Sequence, residues 1–137
     1  MKQEDKELLI KDLCGRLPYG VKCNIGEEMP YTLCRVEIDN ENGHLLDFIE
    51  TKNGLDMQVY LSEVKPYLFP LSSMTEEHKK EFYSKFCWED NDEGFQMTAC
   101  HHSYALGKIN WLLEHHYDIN YLIPTNLAID CTNLNIY

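Results

Sequence analysis

The feature that most constrains this chain is a change of hydrophobic period near residue 19. Before it, Leu9, Leu13 and Leu17 recur four apart with Ile10 and Cys14 beside them, while Glu4, Asp5, Lys6, Glu7, Lys11 and Asp12 populate the other face. That pattern predicts an amphipathic helix over 3–16. Acids early in the helix and Arg16 late in it suit the macrodipole, and Gly15 followed by Pro18 is expected to stop it. After Tyr19 the helical period is lost. The runs 21–25, 31–39, 44–50 and 57–61 are short, rich in β-branched or aromatic residues, and separated by Gly26-Glu27-Glu28, the loop ending Asn42-Gly43, and Lys52-Asn53-Gly54. These read as successive antiparallel strands joined by turns that use positive φ. Strands and helices are thus segregated along the chain, which predicts an α+β fold rather than βαβ alternation.

Four strands of this length enclose a core only by curling, so an SH3-like or Sm-like partial barrel is expected. In 31–39 simple alternation puts Tyr31, Leu33, Arg35, Glu37 and Asp39 on one side. It gives Cys34, Val36 and Ile38 to the core. The segment 64–70 carries Pro66 and Pro70, each lacking a ladder donor, and is read as an extended connector rather than a central strand. Ser73-Met74-Thr75-Glu76 has capping-box spacing, with Thr75 as the alternative cap, and opens a helix running to about Phe86 with Phe82, Tyr83 and Phe86 inward. An acidic, turn-prone loop follows. A third helix is expected over about 102–116 with Ala105, Ile109, Leu112, Leu113 and His116 on one stripe, and a last extended piece at 127–131. At 137 residues the chain suits one domain spanning 1–137, with 1–70 forming the helix and sheet and 71–137 mainly helical.

Charge narrows the function classes. Twelve basic against 23 acidic side chains give −11 with His neutral, and the acidity is concentrated in the middle of the chain. A phosphate-tracking surface requires clustered Lys and Arg, so direct nucleic-acid binding is not expected. Such a surplus suits solubility, docking on a basic partner or mimicry of nucleic acid. No apolar stretch approaches a membrane span and the N-terminus has no signal-peptide core, which predicts a cytoplasmic protein with no membrane partner. Six cysteines occur, none of them in a C-x-x-C pair. In a reducing compartment they read as small buried hydrophobes.

Chemistry-bearing motifs are sparse. His101-His102 and His115-His116 flank the third helix, with Cys100 before it and Asp118 after, and are suitable ligand types for Zn²⁺ or Fe²⁺. Fourteen helical residues separate the pairs by roughly 21 Å, which opposes a shared ion. The alternative makes His115 or His116 a helix C-terminal group, with the other packed under Tyr117 and Tyr121. Adjacency of Cys100 to His101 does not supply catalytic geometry. No phosphate loop, dinucleotide fingerprint, nucleophile elbow or H-E-x-x-H motif occurs, so no cofactor and no catalytic residue are assigned. Nine tyrosines suit a recognition surface. The sharpest candidate binding patch is Trp88 with Glu89, Asp90, Asp92 and Glu93, an aromatic set in negative charge.

The stretches KELLIKDLCGRLPYGVKC at 7–23, EVKPYLFPLSSMTEEHKKEF at 63–82 and INWLLEHHYDINYLIPTNLAI at 109–129 resemble a family of small uncharacterised proteins from gut anaerobes and their phages and prophages. The resemblance covers most of the chain, and departs from the family pattern at Phe69, where the group usually carries Arg. It implies a phage or mobile-element protein acting in the bacterial cytoplasm and transfers no activity. With the charge, it leads to the expectation of a non-enzymatic acidic interaction protein that binds a host or phage protein. A nucleotide-like ligand sponge and a metal-dependent enzyme are the alternatives, with oligomeric state left open.

Overall fold

A computed structural model describes residues 1–26, 29–39, 43–49, 56–86 and 105–137. Helix α1 (Gln3–Arg16) begins where expected. It also ends where expected, at Arg16. The chain continues through a 3₁₀ turn at Leu17–Tyr19, with Pro18 supplying its fixed φ, and ends at Gly20 in the left-handed region (φ 65°). Leu9, Ile10 and Leu13 enter the core as expected, whereas Asp12, placed on the polar face by the sequence, is buried, and Cys14 is exposed.

Strands β1 (Lys22–Asn24), β2 (Tyr31–Glu37), β3 (Leu45–Ile49) and β4 (Asp56–Tyr60) form the antiparallel meander that the sequence predicts. Gly43 takes positive φ as the Asn-Gly turn requires, while Asn42, Asn53 and Gly54 lie outside the described residues. The predicted core face of β2 is corrected. The pairing shifts between Leu33 and Arg35, so Leu33 faces Phe48 and Val36 faces Leu46 with Cys34 as the extra residue. This β-bulge changes the parity of the strand. Tyr31 and Leu33 are buried before it and Val36 packs on the core after it, while Cys34 and Ile38 are exposed.

The connector at 64–70 is also corrected. Residues Lys65–Leu68 form a strand, β5, inside the sheet, pairing antiparallel with β1 and parallel with β6 (Ile129–Asp130). The order is β4-β3-β2-β1-β5-β6. Pro66 is tolerated because it lies near the strand's start, opposite Cys23, one residue before pairing with β6 begins. Pro70 falls just beyond the strand. β4 and β6 are the two ends of the row and the sheet is not closed among the described residues.

Helix α2 (Glu76–Phe86) is capped by Thr75, whose hydroxyl accepts the His78 backbone N–H at 3.2 Å. The Ser73 hydroxyl instead donates to the Pro70 carbonyl. No residue of α2 is buried and Tyr83 is exposed rather than inward. A third helix, α3, runs over 105–114 among the described residues. Its buried positions are Trp111 and Leu113, while Ala105 and Ile109, expected inside, are exposed. Leu9, Leu13, Val21, Leu33, Leu46, Phe48, Val64, Leu68 and Leu122 form the core between α1, the sheet and the C-terminal turns.

Candidate functional site

Behind the helices lies a buried polar hub. Arg16 donates to both oxygens of Asp12, Nε to Oδ2 at 2.6 Å and Nη2 to Oδ1 at 3.0 Å. Neither side chain is solvent-accessible. Arg16 Nη2 also donates to the Tyr117 carbonyl at 2.7 Å, and Asn120 donates to Asp12 Oδ1 at 2.8 Å. The hub therefore ties α1 to the turn after α3. Its role is architectural, since every named contact joins chain to chain.

Across that turn is an aromatic seam between α2 and α3. His78, Phe82 and Phe86 recur four apart, as do Gly107, Trp111 and His115. They meet in reverse order. The His78 and His115 rings are edge-to-face at 4.8 Å, Phe82 meets Trp111 at 5.3 Å, and a Cβ on Gly107 would sit 3.1 Å from the Phe86 ring. The two helices thus run antiparallel along one row of contacts. His78 Nδ1 lies 2.6 Å from the Tyr117 hydroxyl, His115 stacks on Trp111 at 3.9 Å, and Trp111 donates to Glu81 at 3.3 Å. Hydrogen bonds from Lys85 and then Trp111 hold the Glu81 carboxyl below the usual carboxylate range. Neither His78 nor Trp111 belongs to a chemical motif that stands out in the sequence. Two matching series at i, i+4, i+8 were the available signal.

The paired histidines separate. His115 is in the seam, whereas His116 takes φ 62°, is buried, and stacks on Tyr137 at 3.8 Å. Tyr117 is buried in the seam and Tyr121 is exposed, and the ring stacked on His116 is that of Tyr137. Burial above all, then the charges of Arg16, His115 and Lys22, push the His116 pKa down to about 4. A neutral imidazole results, so of the two histidines His116 is not the charged helix-end group. Asp118 accepts the backbone N–H groups of Leu122 and Ile123 with its two oxygens and serves a turn. Among the described residues no group of three or more His, Cys, Asp or Glu is placed to hold a metal ion. Trp88, Glu89, Asp90, Asp92, Glu93, Cys100, His101 and His102 lie outside the described residues.

Cys23 and Cys131 are buried, and burial raises both thiol pKa values, that of Cys131 to about 11. Cys14 and Cys34 are exposed, which corrects the expectation of uniformly buried cysteines.

The outer face of β2, β3 and β4 carries a cluster of charged side chains. Arg35 pairs with Glu37 at 2.8 Å and Asp47 at 3.0 Å, and Gln58 donates to the other oxygen of Asp47 at 2.9 Å. Asp56 and Tyr60 are exposed on the same strand as Gln58. One guanidinium thus meets two carboxylates, one on its own strand and one on β3, with a third carboxylate, Asp56, on β4. Comparison with protein-family models, curated proteins and solved structures finds no match to this chain. Its chemistry therefore has to be argued from these surfaces.

Proposed function

We propose that the protein is an acidic interaction protein that docks on a basic protein surface, including one that otherwise holds nucleic acid, in the phage or mobile-element setting that the sequence resemblance implies. The observation that carries this reading is the outer face of β2–β4, where Glu37 and Asp47 pair with Arg35 and Asp56 adds a third carboxylate on the same face. The segments next to these strands in sequence, 27–28, 40–42 and 50–55, add Glu27, Glu28, Glu41 and Glu50 against one lysine, Lys52. A surplus of carboxylates in this part of the sequence contributes mainly to encounter rate and partner choice. No observation on the described residues favours the nucleotide-like ligand or the metal-dependent enzyme. In the same reading the bulged, short-stranded sheet has the curvature of an SH3-like or Sm-like partial barrel, since a bulge increases local twist.

The test is retention of a basic partner. The protein immobilised at low ionic strength is expected to hold a lysine-rich polypeptide and to release it as salt shortens the Debye length from about 30 Å to about 8 Å. Retention that is absent at low salt, or indifferent to salt, overturns the proposal.

A further inference from the structure

Among the described residues strand β4 leaves one side of its backbone open, and its hydrogen-bond parity says which groups face outward. The Leu61 N–H donates to the His44 carbonyl at 3.1 Å. With Leu46 opposite Val59 and Phe48 opposite Met57, the odd-numbered residues spend their N–H and C=O on β3, because directly bonded pairs alternate along an antiparallel ladder. Asp56, Gln58 and Tyr60 therefore aim theirs away from the sheet, and among the described residues no strand pairs with that side. Their side chains stand on the acidic outer face and are exposed. Those of Met57 and Val59 point to the core face, packed on it and only partly buried. The other end of the row, β6, is two residues long and offers far less.

We infer that the β4 edge accepts an extended basic segment of a protein partner as a seventh, antiparallel strand. This rests on the acidic-docking reading above and specifies how the partner is held. Backbone bonds to Asp56, Gln58 and Tyr60 supply register. Partner residues bonded to those three lie on the outer face, where a Lys or Arg meets Asp56 and Asp47 and can extend over the Tyr60 ring. The intervening partner residues lie on the core face, where apolar side chains continue the layer past Met57 and Val59. The occupant is thus a peptide alternating basic and apolar residues. A second copy of this chain fits poorly, because it would bring the same acidic flank and its own charge of −11.

The experiment uses the intact protein and the fluorescent peptide Lys-Val-Lys-Val-Lys-Val-Lys, followed by anisotropy at low salt. N-methylation of the lysines removes the N–H groups that point at β4, and N-methylation of the valines removes those that point away. The inference expects the first to weaken binding by roughly tenfold or more and the second to change it little. Gln58→Pro, which leaves the ladder to β3 intact, is expected to weaken the parent peptide similarly, and Asp56→Lys to weaken it further at low salt than at high. If both methylated peptides bind like the parent, the strand addition is wrong while the acidic docking surface stands. If no basic peptide binds at low salt, both are wrong. A wild-type dimer that Gln58→Pro converts to monomer would overturn the inference by giving the edge to a second copy.

Discussion

Asp12 and Arg16 show how a side chain's position in a helix can conceal its role. At i, i+4 the pair looks like an ordinary surface ion pair, worth a few tenths of a kcal/mol, yet here both are fully buried, with Arg16 also donating to the Tyr117 carbonyl and Asp12 also accepting from Asn120. Removing one partner strands a charge in the interior. Asp12→Ala is therefore expected to cost about 3–5 kcal/mol in urea unfolding, while replacing both by apolar residues of matched volume costs much less. His116 makes a second residue-scale prediction. Its folded pKa of about 4 lies below the ordinary 6.5, so the unfolded chain binds the extra proton between those values. Stability is full above about pH 6.5 and falls as pH drops towards 4, by about 1–3 kcal/mol. His116→Asn, which tolerates positive φ, should flatten that part of the stability–pH curve. An unchanged slope would show that the imidazole titrates normally in the fold.

At the scale of elements, the strength of a local signal and the depth of burial part company. α1 combines strong periodicity with buried Leu9 and Leu13, but α2 has a good cap and no buried residue. It is held by one row of rings against α3 and by the His78–Tyr117 contact. Thr75→Ala should cost about 1 kcal/mol. The loss should appear in hydrogen exchange as earlier opening of α2 with α1 and the sheet little affected. Uniform loss of protection across the molecule would mean that α2 unfolds with the core. In β2, the bulge at Cys34 is the element-scale device that sequence alternation misread. A period-2 rule assumes one residue per pair, and the extra residue lets Tyr31 and Leu33 share the core face with Val36, which the alternation had already placed there, while Cys34 leaves it.

For the whole molecule, the sheet order brings distant segments together. β1 lies between β2, its neighbour in sequence, and β5, some forty residues later. The C-terminal segment then returns to both: the Tyr137 hydroxyl accepts the Lys22 N–H at 3.1 Å and donates to the Tyr67 carbonyl at 2.9 Å. The Tyr137 ring also covers His116. Tyr137→Phe should lower global stability by about 1–2 kcal/mol, because the Tyr67 carbonyl and the Lys22 N–H lose a shared partner. Calorimetry should register this as a shift of the single main transition. The charge is also a whole-molecule property. Of 23 acids and 12 bases, fifteen and eleven fall among the described residues, so most of the surplus lies in the segments 27–28, 40–42, 50–55 and 87–104.

By itself the sequence determined the helix over 3–16, the antiparallel meander, a helix start capped at Ser73 or Thr75 and the α+β class, because each follows from contacts within a few residues or from a period that one buried face imposes. Only the tertiary structure decided that Lys65–Leu68 enters the sheet beside β1, that Asp12 and Arg16 are interior, and that His115 and His116 face different partners. The reason is physical. Those outcomes depend on groups such as the Tyr117 carbonyl, 101 residues from Arg16, and no local period carries information about what a distant backbone atom will offer. The open parity of β4 belongs to the same class, since which N–H groups face outward is known only once the register with β3 is set.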